Sequence, residues 1–126
     1  MITFDTNYLV RHIVQDDPDQ CRTVSQDIAR EAVAGRTILI LDIVLLETVW
    51  VLESIYGFDR KAVVSVLSEL LEDSAFSFEN PGRIKLSLDK FSSGKADYAD
   101  YLIVAVAESK GLEIQTFDKK LRKELR

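Results

Sequence analysis

The sequence predicts an α/β domain built on a mostly parallel sheet. Short apolar runs of strand type alternate with longer segments of helical periodicity, in an order that repeatedly returns from helix to strand. The run Thr37–Leu41, TILIL, is β-branched and apolar without polar alternation, as expected of a strand covered on both faces. No repeat, linker or low-complexity stretch interrupts the 126 residues, so a single domain over 1–126 is expected.

Taken in order, Ile2 to Phe4 forms a short apolar run that stops at Asp5, a first strand. Thr6 and Asn7, good capping types, precede a short helix carrying Tyr8, Leu9 and Ile13, which Asp16, Asp17 and Pro18 break. Cys21, Val24, Ile28 and Ala32 recur at helical spacing up to Gly35. After the TILIL strand, Asp42 is placed as the N-cap of a helix over 43–55, stopped by Gly57. Asp59 opens the next helix, with Ala62, Val63, Val66, Leu67, Leu70 and Leu71 as its apolar set. Phe76 and Phe78 alternate with serines in a short strand, and Asn80-Pro81-Gly82 is expected to be a turn. Ile84, Leu86, Leu88 and Phe91 fit a helix, with a spacing that also partly fits a strand; Ser92-Ser93-Gly94 is expected to be a loop. A helix from Tyr98 to Lys110 closes at Gly111, Glu113 to Phe117 is expected to be the last strand, and Asp118 opens a terminal helix.

With 47% hydrophobic and 29% charged residues, five glycines and two prolines, the composition is that of a folded globular chain. The single cysteine, Cys21, excludes an internal disulfide framework. MITFDTN has no basic start followed by an apolar core, so no secretory signal is expected. The most hydrophobic stretch, Ile38–Leu52, is broken by Asp42 and Glu47 and is too short to span a bilayer, which points to a soluble, cytoplasmic protein. The formal net charge is −5. Four acids discussed next account for most of it, so the rest of the surface is nearly neutral and neither favours nor excludes a polyanionic substrate.

Those acids are Asp5, Glu47, Asp100 and Asp118, each embedded in or ending an apolar segment: MITFD, IVLLETVWVL, DYLIVAVA and IQTFD. An unpaired buried carboxylate costs several kcal/mol or stays protonated. Asp5 and Asp118 follow apparent strands, and ligands of open parallel sheets bind beyond the carboxyl ends of their strands. Glu47, with Ile43, Val44, Trp50 and Val51 three and four residues away, is expected on a buried face. Asp100 lies in the first turn of its helix, where the helix dipole favours an acid. Several carboxylates on one rim repel unless a cation neutralises them, and oxygen-only ligation suits Mg²⁺ or Mn²⁺. Such ions support phosphodiester hydrolysis. Zinc is disfavoured, because His12 and Cys21 are the only side chains of its preferred types, and both are expected to be structural.

Plainer explanations exist for each acid. Asp5 and Asp118 also fit helix N-caps, and Asp97 with Asp100 fits a variant of the capping box. Glu47 is the hardest to explain structurally, since eight of the ten residues from Ile43 to Leu52 are apolar.

Four motifs in this order, DTNYLVRHI from Asp5, LLETVWVLES around Glu47, DYADYLIVAVAESKG from Asp97 to Gly111, and QTFDKKL around Asp118, resemble the PIN-domain family, in particular the VapC-type toxins of toxin–antitoxin pairs. The resemblance spans essentially the whole chain. It implies a three-layer α/β/α sandwich and a metal-dependent endoribonuclease. Asp5, Glu47, Asp100 and Asp118 fall on the family's acidic metal ligands, and Asp97 on an acidic neighbour that supports the metal through water. Thr6, Asn7 and Thr116 match polar positions that orient the acids. Arg11 matches a basic position suited to a phosphate or an antitoxin, and equally fits a surface arginine. Asp42 stands where relatives often carry a small hydroxyl residue.

The resemblance also implies a homodimer held inactive by a small VapB-like antitoxin that inserts a basic side chain among the acids. Trp50, Ile55, Tyr56 and Phe58 would suit such an interface or an ordinary core. The basic tail, Lys119, Lys120, Arg122, Lys123 and Arg126, fits an RNA path or a solvated helix face. Two rival readings keep different classes in play. One is a catalytically inactive PIN-like module that binds RNA or protein. The other is a receiver-like module using Asp42 and Lys119, which leaves Glu47 unexplained.

Overall fold

A computed structural model describes residues 1–125, which divide into two compact units meeting in sequence at Glu79 and Asn80. The first unit contains α1 (Thr6–Val14), α2 (Pro18–Val33), β1 (Ile38–Ile40), α3 (Asp42–Ser54), α4 (Arg60–Glu72) and β2 (Phe76–Phe78). β1 and β2 are parallel, with Ile38 opposite Phe76 and Ile40 opposite Phe78. Parallel neighbours need a crossover, and α3 and α4 supply it. The expected first strand contracts to one parallel bridge, Thr3 to Leu39, with the Leu39 N–H donating to the Ile2 carbonyl at 3.1 Å. The run is short because Asp5 already caps α1, so the chain turns helical before a ladder can extend.

Local chemistry sets the helix boundaries. The carboxylates of Asp17 and Asp59 accept from the backbone N–H groups of Gln20 and Ala62, capping α2 and α4. Pro18 takes the first position of α2, where a missing N–H costs nothing. Asp42 differs from expectation: Leu41 is the cap position of α3, and Asp42 is its first helical residue, with its N–H donating to Glu79 Oε1 at 2.7 Å. Leu9, Val10, Val24, Ile38, Ile40, Leu45, Leu52, Val63 and Leu67 form the buried core of this unit, and Phe76 meets Phe4 edge-on at 6.1 Å. Each such burial contributes about 1.5–3 kcal/mol. Glu31 is also buried, and Arg36 grips it with two hydrogen bonds, of 2.9 and 3.3 Å, where the chain leaves α2 for β1.

The second unit contains α5 (Pro81–Ser93), α6 (Tyr98–Ser109) and α7 (Lys119–Glu124). Asn80-Pro81-Gly82 is a helix start rather than a turn: the Asn80 side chain accepts from the Arg83 N–H and Pro81 begins α5. Ser92 and Ser93 continue that helix, and only Gly94 ends it. Phe91 packs edge-on against Tyr98 and Tyr101, at 5.5 and 6.2 Å, joining α5 to α6. The expected strand at Glu113–Phe117 is absent among the described residues. The segment keeps a strand's alternation, with Ile114 and Thr116 half-buried between exposed neighbours, but no ladder pairs its backbone. No helix among the described residues is long and apolar enough to cross a membrane.

Candidate functional site

Three of the sequence's candidate acids share one cavity in the second unit. Asp97, Asp100 and Asp118, together with Lys95, Ala96, Lys119 and Lys120, line a space of about 370 Å³. Asp97 occupies the cap position of α6, yet its side chain makes no capping hydrogen bond, so its carboxylate is not committed to the helix. Asp100, one turn further in, is half-buried. Desolvation and the neighbouring charge of Asp118 hold its carboxyl above the ordinary aspartate range; Asp97 adds to this, while a hydrogen bond to the Asp97 backbone opposes it. The capping box is thus only half formed, with Asp100 bonded back to the Asp97 backbone but no reciprocal bond from Asp97.

Asp118 serves as the N-cap of α7: its Oδ1 accepts from the N–H groups of Lys120 and Leu121, at 2.8 and 3.1 Å. Thr116 steadies it, since the Asp118 N–H donates to Thr116 Oγ1 at 3.0 Å. Arg122 in turn donates to the Thr116 carbonyl at 2.6 Å. Capping engages one carboxylate oxygen of Asp118 and so does not by itself remove the acid from the cavity.

Asp5 and Glu47 belong to the first unit. Asp5 caps α1, accepting from the Tyr8 N–H at 2.9 Å, and lies at the edge of a cavity of about 330 Å³ that Asn7, Tyr8 and Arg11 also line. Thr6 is the first residue of α1 and is half-buried; Asn7 is exposed. Glu47 corrects the expectation of a buried face. It is exposed on α3, and so are its neighbours Ile43 and Trp50, both 62% accessible. Thr48 and Val49, at the next positions, carry the buried side of the helix instead. Apolar residues surround α3 on all sides, so periodicity alone could not say which side faces inward.

Arg11 is tied up locally: its guanidinium pairs with Asp16 and hydrogen-bonds Tyr56 Oη at 3.1 Å, and Tyr56 donates to Asp16 at 3.0 Å. His12 and Cys21 take packing roles, His12 against Phe76 at 5.3 Å and Cys21 Sγ donating to the Arg11 carbonyl at 3.4 Å. Lys119, Lys120, Arg122 and Lys123 are exposed, and Arg126 lies outside the described residues.

The donor set of the second-unit cavity fits a hard divalent cation. It offers carboxylate oxygens without histidine or thiolate, and the upward push on Asp100 comes first from burial and then from repulsion by Asp118, the part that a cation there would relieve. Among the described residues, no three histidine, cysteine, aspartate or glutamate side chains are grouped tightly enough to hold an ion. The cavity also holds Lys119 and Lys120 of the basic tail, together with Lys95, which the sequence does not single out. The signal for Lys95 is position, two residues before the candidate acid Asp97.

The family model described as the PIN domain matches residues 2–123. The chain is similar to the VapC ribonuclease of Aquifex aeolicus (strain VF5), with 23% identity over 124 residues that cover 98% of this chain and 91% of that protein. No solved structure matches.

Proposed function

The chain belongs to the PIN-domain family, and from that premise we propose that it is a Mg²⁺- or Mn²⁺-dependent endoribonuclease, the cytoplasmic toxin of a VapBC-type pair. Membership displaces the receiver-like reading. The observation that carries the proposal is the second-unit cavity, which three carboxylates and three lysines line and where the half-buried Asp100 is pushed toward its neutral form. The similarity to a VapC ribonuclease supports RNA as substrate and an antitoxin as partner.

In this reading Asp97, Asp100 and Asp118 hold the ion, and the family motif adds Asp5 and Glu47. A bound Mg²⁺ or Mn²⁺ supplies Lewis-acid polarisation of a phosphoryl oxygen and lowers the pKa of water. The protein's own groups do the remaining work. Thr116 fixes the Asp118 backbone, and Lys95, Lys119 and Lys120 offset carboxylate charge and favour approach of a phosphodiester. The chain acts as one domain over 1–126, dimerises, and is restrained by a VapB-like antitoxin.

The test is cleavage of total RNA with Mn²⁺ present or chelated. Asp5→Asn and Asp100→Asn are each expected to lower the rate at least about 100-fold while circular dichroism stays unchanged. Equal cleavage by wild type and both variants at matched purity would sink the proposal. One observation favours a second reading, a non-catalytic PIN-like module binding RNA or protein: the absence of a tight three-acid group among the described residues. Under that reading the wild type binds RNA but never cleaves it, whatever the metal.

A further inference from the structure

Gly94 sits where no other residue fits. A Cβ built there would fall 1.8 Å from Tyr101 Oη, 2.6 Å from Tyr101 Cζ and 2.9 Å from the Lys90 carbonyl. The Tyr101 ring therefore lies directly on the chain as it leaves α5, and its hydroxyl sits at a junction. It accepts from the Ala96 N–H at 3.1 Å and donates to Glu124 Oε1 at 2.8 Å. The same Glu124 oxygen accepts from the Lys95 N–H at 3.3 Å. Ala96 is 1% exposed and Tyr101 is buried, so the Ala96–Tyr101 bond lies away from water, while the Glu124 bonds to Tyr101 and Lys95 reach toward the surface.

The junction has consequences for the acids. Lys95 and Ala96 line the cavity and lead directly into Asp97 and the first turn of α6, which carries Asp100. Glu124 is the last residue of α7, whose first turn is capped by Asp118. We infer that Tyr101 and Glu124 form a latch that docks α7 on the Lys95–Asp97 segment and thereby positions Asp118 in the cavity it shares with Asp97 and Asp100. Both are positioning residues, and neither lines the cavity. Short α7 has six residues and one buried side chain, Leu121, so the latch acts with the Asp118 cap and the Arg122–Thr116 bond in holding it. The inference deepens the nuclease reading by naming what aligns its acids, and its purpose rests on that reading.

The experiment compares Tyr101→Phe, Glu124→Ala and Glu124→Gln with wild type, all metal-free at first. Amide hydrogen exchange at Arg122 and Leu125, whose N–H groups bond to Asp118 and Leu121, reports α7 docking. Tyr101→Phe and Glu124→Ala are expected to lose this protection, with α5 amides unchanged. Glu124→Gln keeps an oxygen acceptor for Tyr101 and Lys95 and is expected to retain it. Mn²⁺ affinity, read by water-proton relaxation, is expected to weaken about tenfold in the first two variants and to stay near wild type in Glu124→Gln. A merely structural role would not produce rescue of metal affinity by glutamine. Unchanged α7 protection in Glu124→Ala, or unchanged Mn²⁺ affinity despite lost protection, overturns the latch. Should Tyr101→Phe fail to fold, Glu124→Ala carries the test. If wild type binds no Mn²⁺, the nuclease reading fails and the exchange data alone decide whether the latch exists.

Discussion

Asp100 is held against its own preference for charge, and that tension makes opposite predictions for stability and activity. Its carboxyl is raised by desolvation, then by Asp118. A raised folded-state value means that the native state binds more protons than the unfolded state just above the ordinary aspartate pKa, so metal-free stability falls as pH rises through that window. Asp100→Asn should therefore raise the metal-free melting midpoint at neutral pH by on the order of 2 °C while abolishing cleavage, and added Mn²⁺ should stabilise wild type but not the variant. Thermal scans with and without metal check it, and a lower midpoint for the variant would contradict it. His12 behaves in the other direction. Burial lowers its pKa, with Asp73 opposing, so stability is full above the ordinary histidine value and declines as pH falls below it. His12→Gln should flatten the stability profile in that acidic range, as urea titrations at several pH values would show. At this scale the acids are legible in the sequence by their apolar settings, but their surroundings are not. Asp97 and Asp100 are three residues apart and their sharing of a cavity follows from helical spacing. Glu47 is exposed where a buried face is expected, because a helix apolar on every side hides which face is covered.

Among the elements, α7 separates two jobs that one carboxylate performs. Asp118 caps the helix through Oδ1 and lines the cavity. Asparagine caps about as well as aspartate, whereas alanine forfeits about 1 kcal/mol. Asp118→Asn should thus keep the exchange protection of α7 while losing cleavage, and Asp118→Ala should lose both. Fraying in Asp118→Asn would show that charge, rather than the hydrogen bonds, holds the helix start. Helices were legible because their signals are local: Asp17 and Asp59 cap, Pro18 sits at a first position, and Gly35, Gly57 and Gly111 adopt the left-handed backbone that follows helix ends. The errors fell where one local signal has two meanings. Asn80-Pro81-Gly82 is both a turn signature and a capped helix start, and Ser92-Ser93 is weakly helical until α5 is fixed by Phe91 packing on Tyr98 and Tyr101. Glu113–Phe117 failed for the converse reason. Strand identity lies in a partner, and alternation cannot supply one.

For the whole molecule, the family match runs unbroken from residue 2 to 123, through both compact units. The single-domain proposal therefore expects one cooperative transition, with calorimetric and van't Hoff enthalpies equal. Two separable transitions would argue for independent units. The partner proposal has a built-in reporter, because Trp50 is the chain's one tryptophan. It is 62% exposed on α3, on the same side as Ile43, and Ile55 follows just beyond the helix end, also exposed. Exposed large apolar groups so close together cost solubility unless something covers them, and contact surfaces favour tryptophan at their centres. Free protein should emit at the long wavelength of a hydrated indole. Adding the cognate antitoxin should shift that emission to the blue, and Trp50→Phe should abolish the signal while weakening binding only modestly. Trp50→Lys places a charge in the same patch and should weaken binding at least tenfold if the patch lies under the partner. A blue-shift on self-association at rising concentration, with no further change when antitoxin is added, would instead assign the face to a second copy of the chain. Unchanged emission in both titrations, with binding confirmed by calorimetry, would remove α3 from either interface.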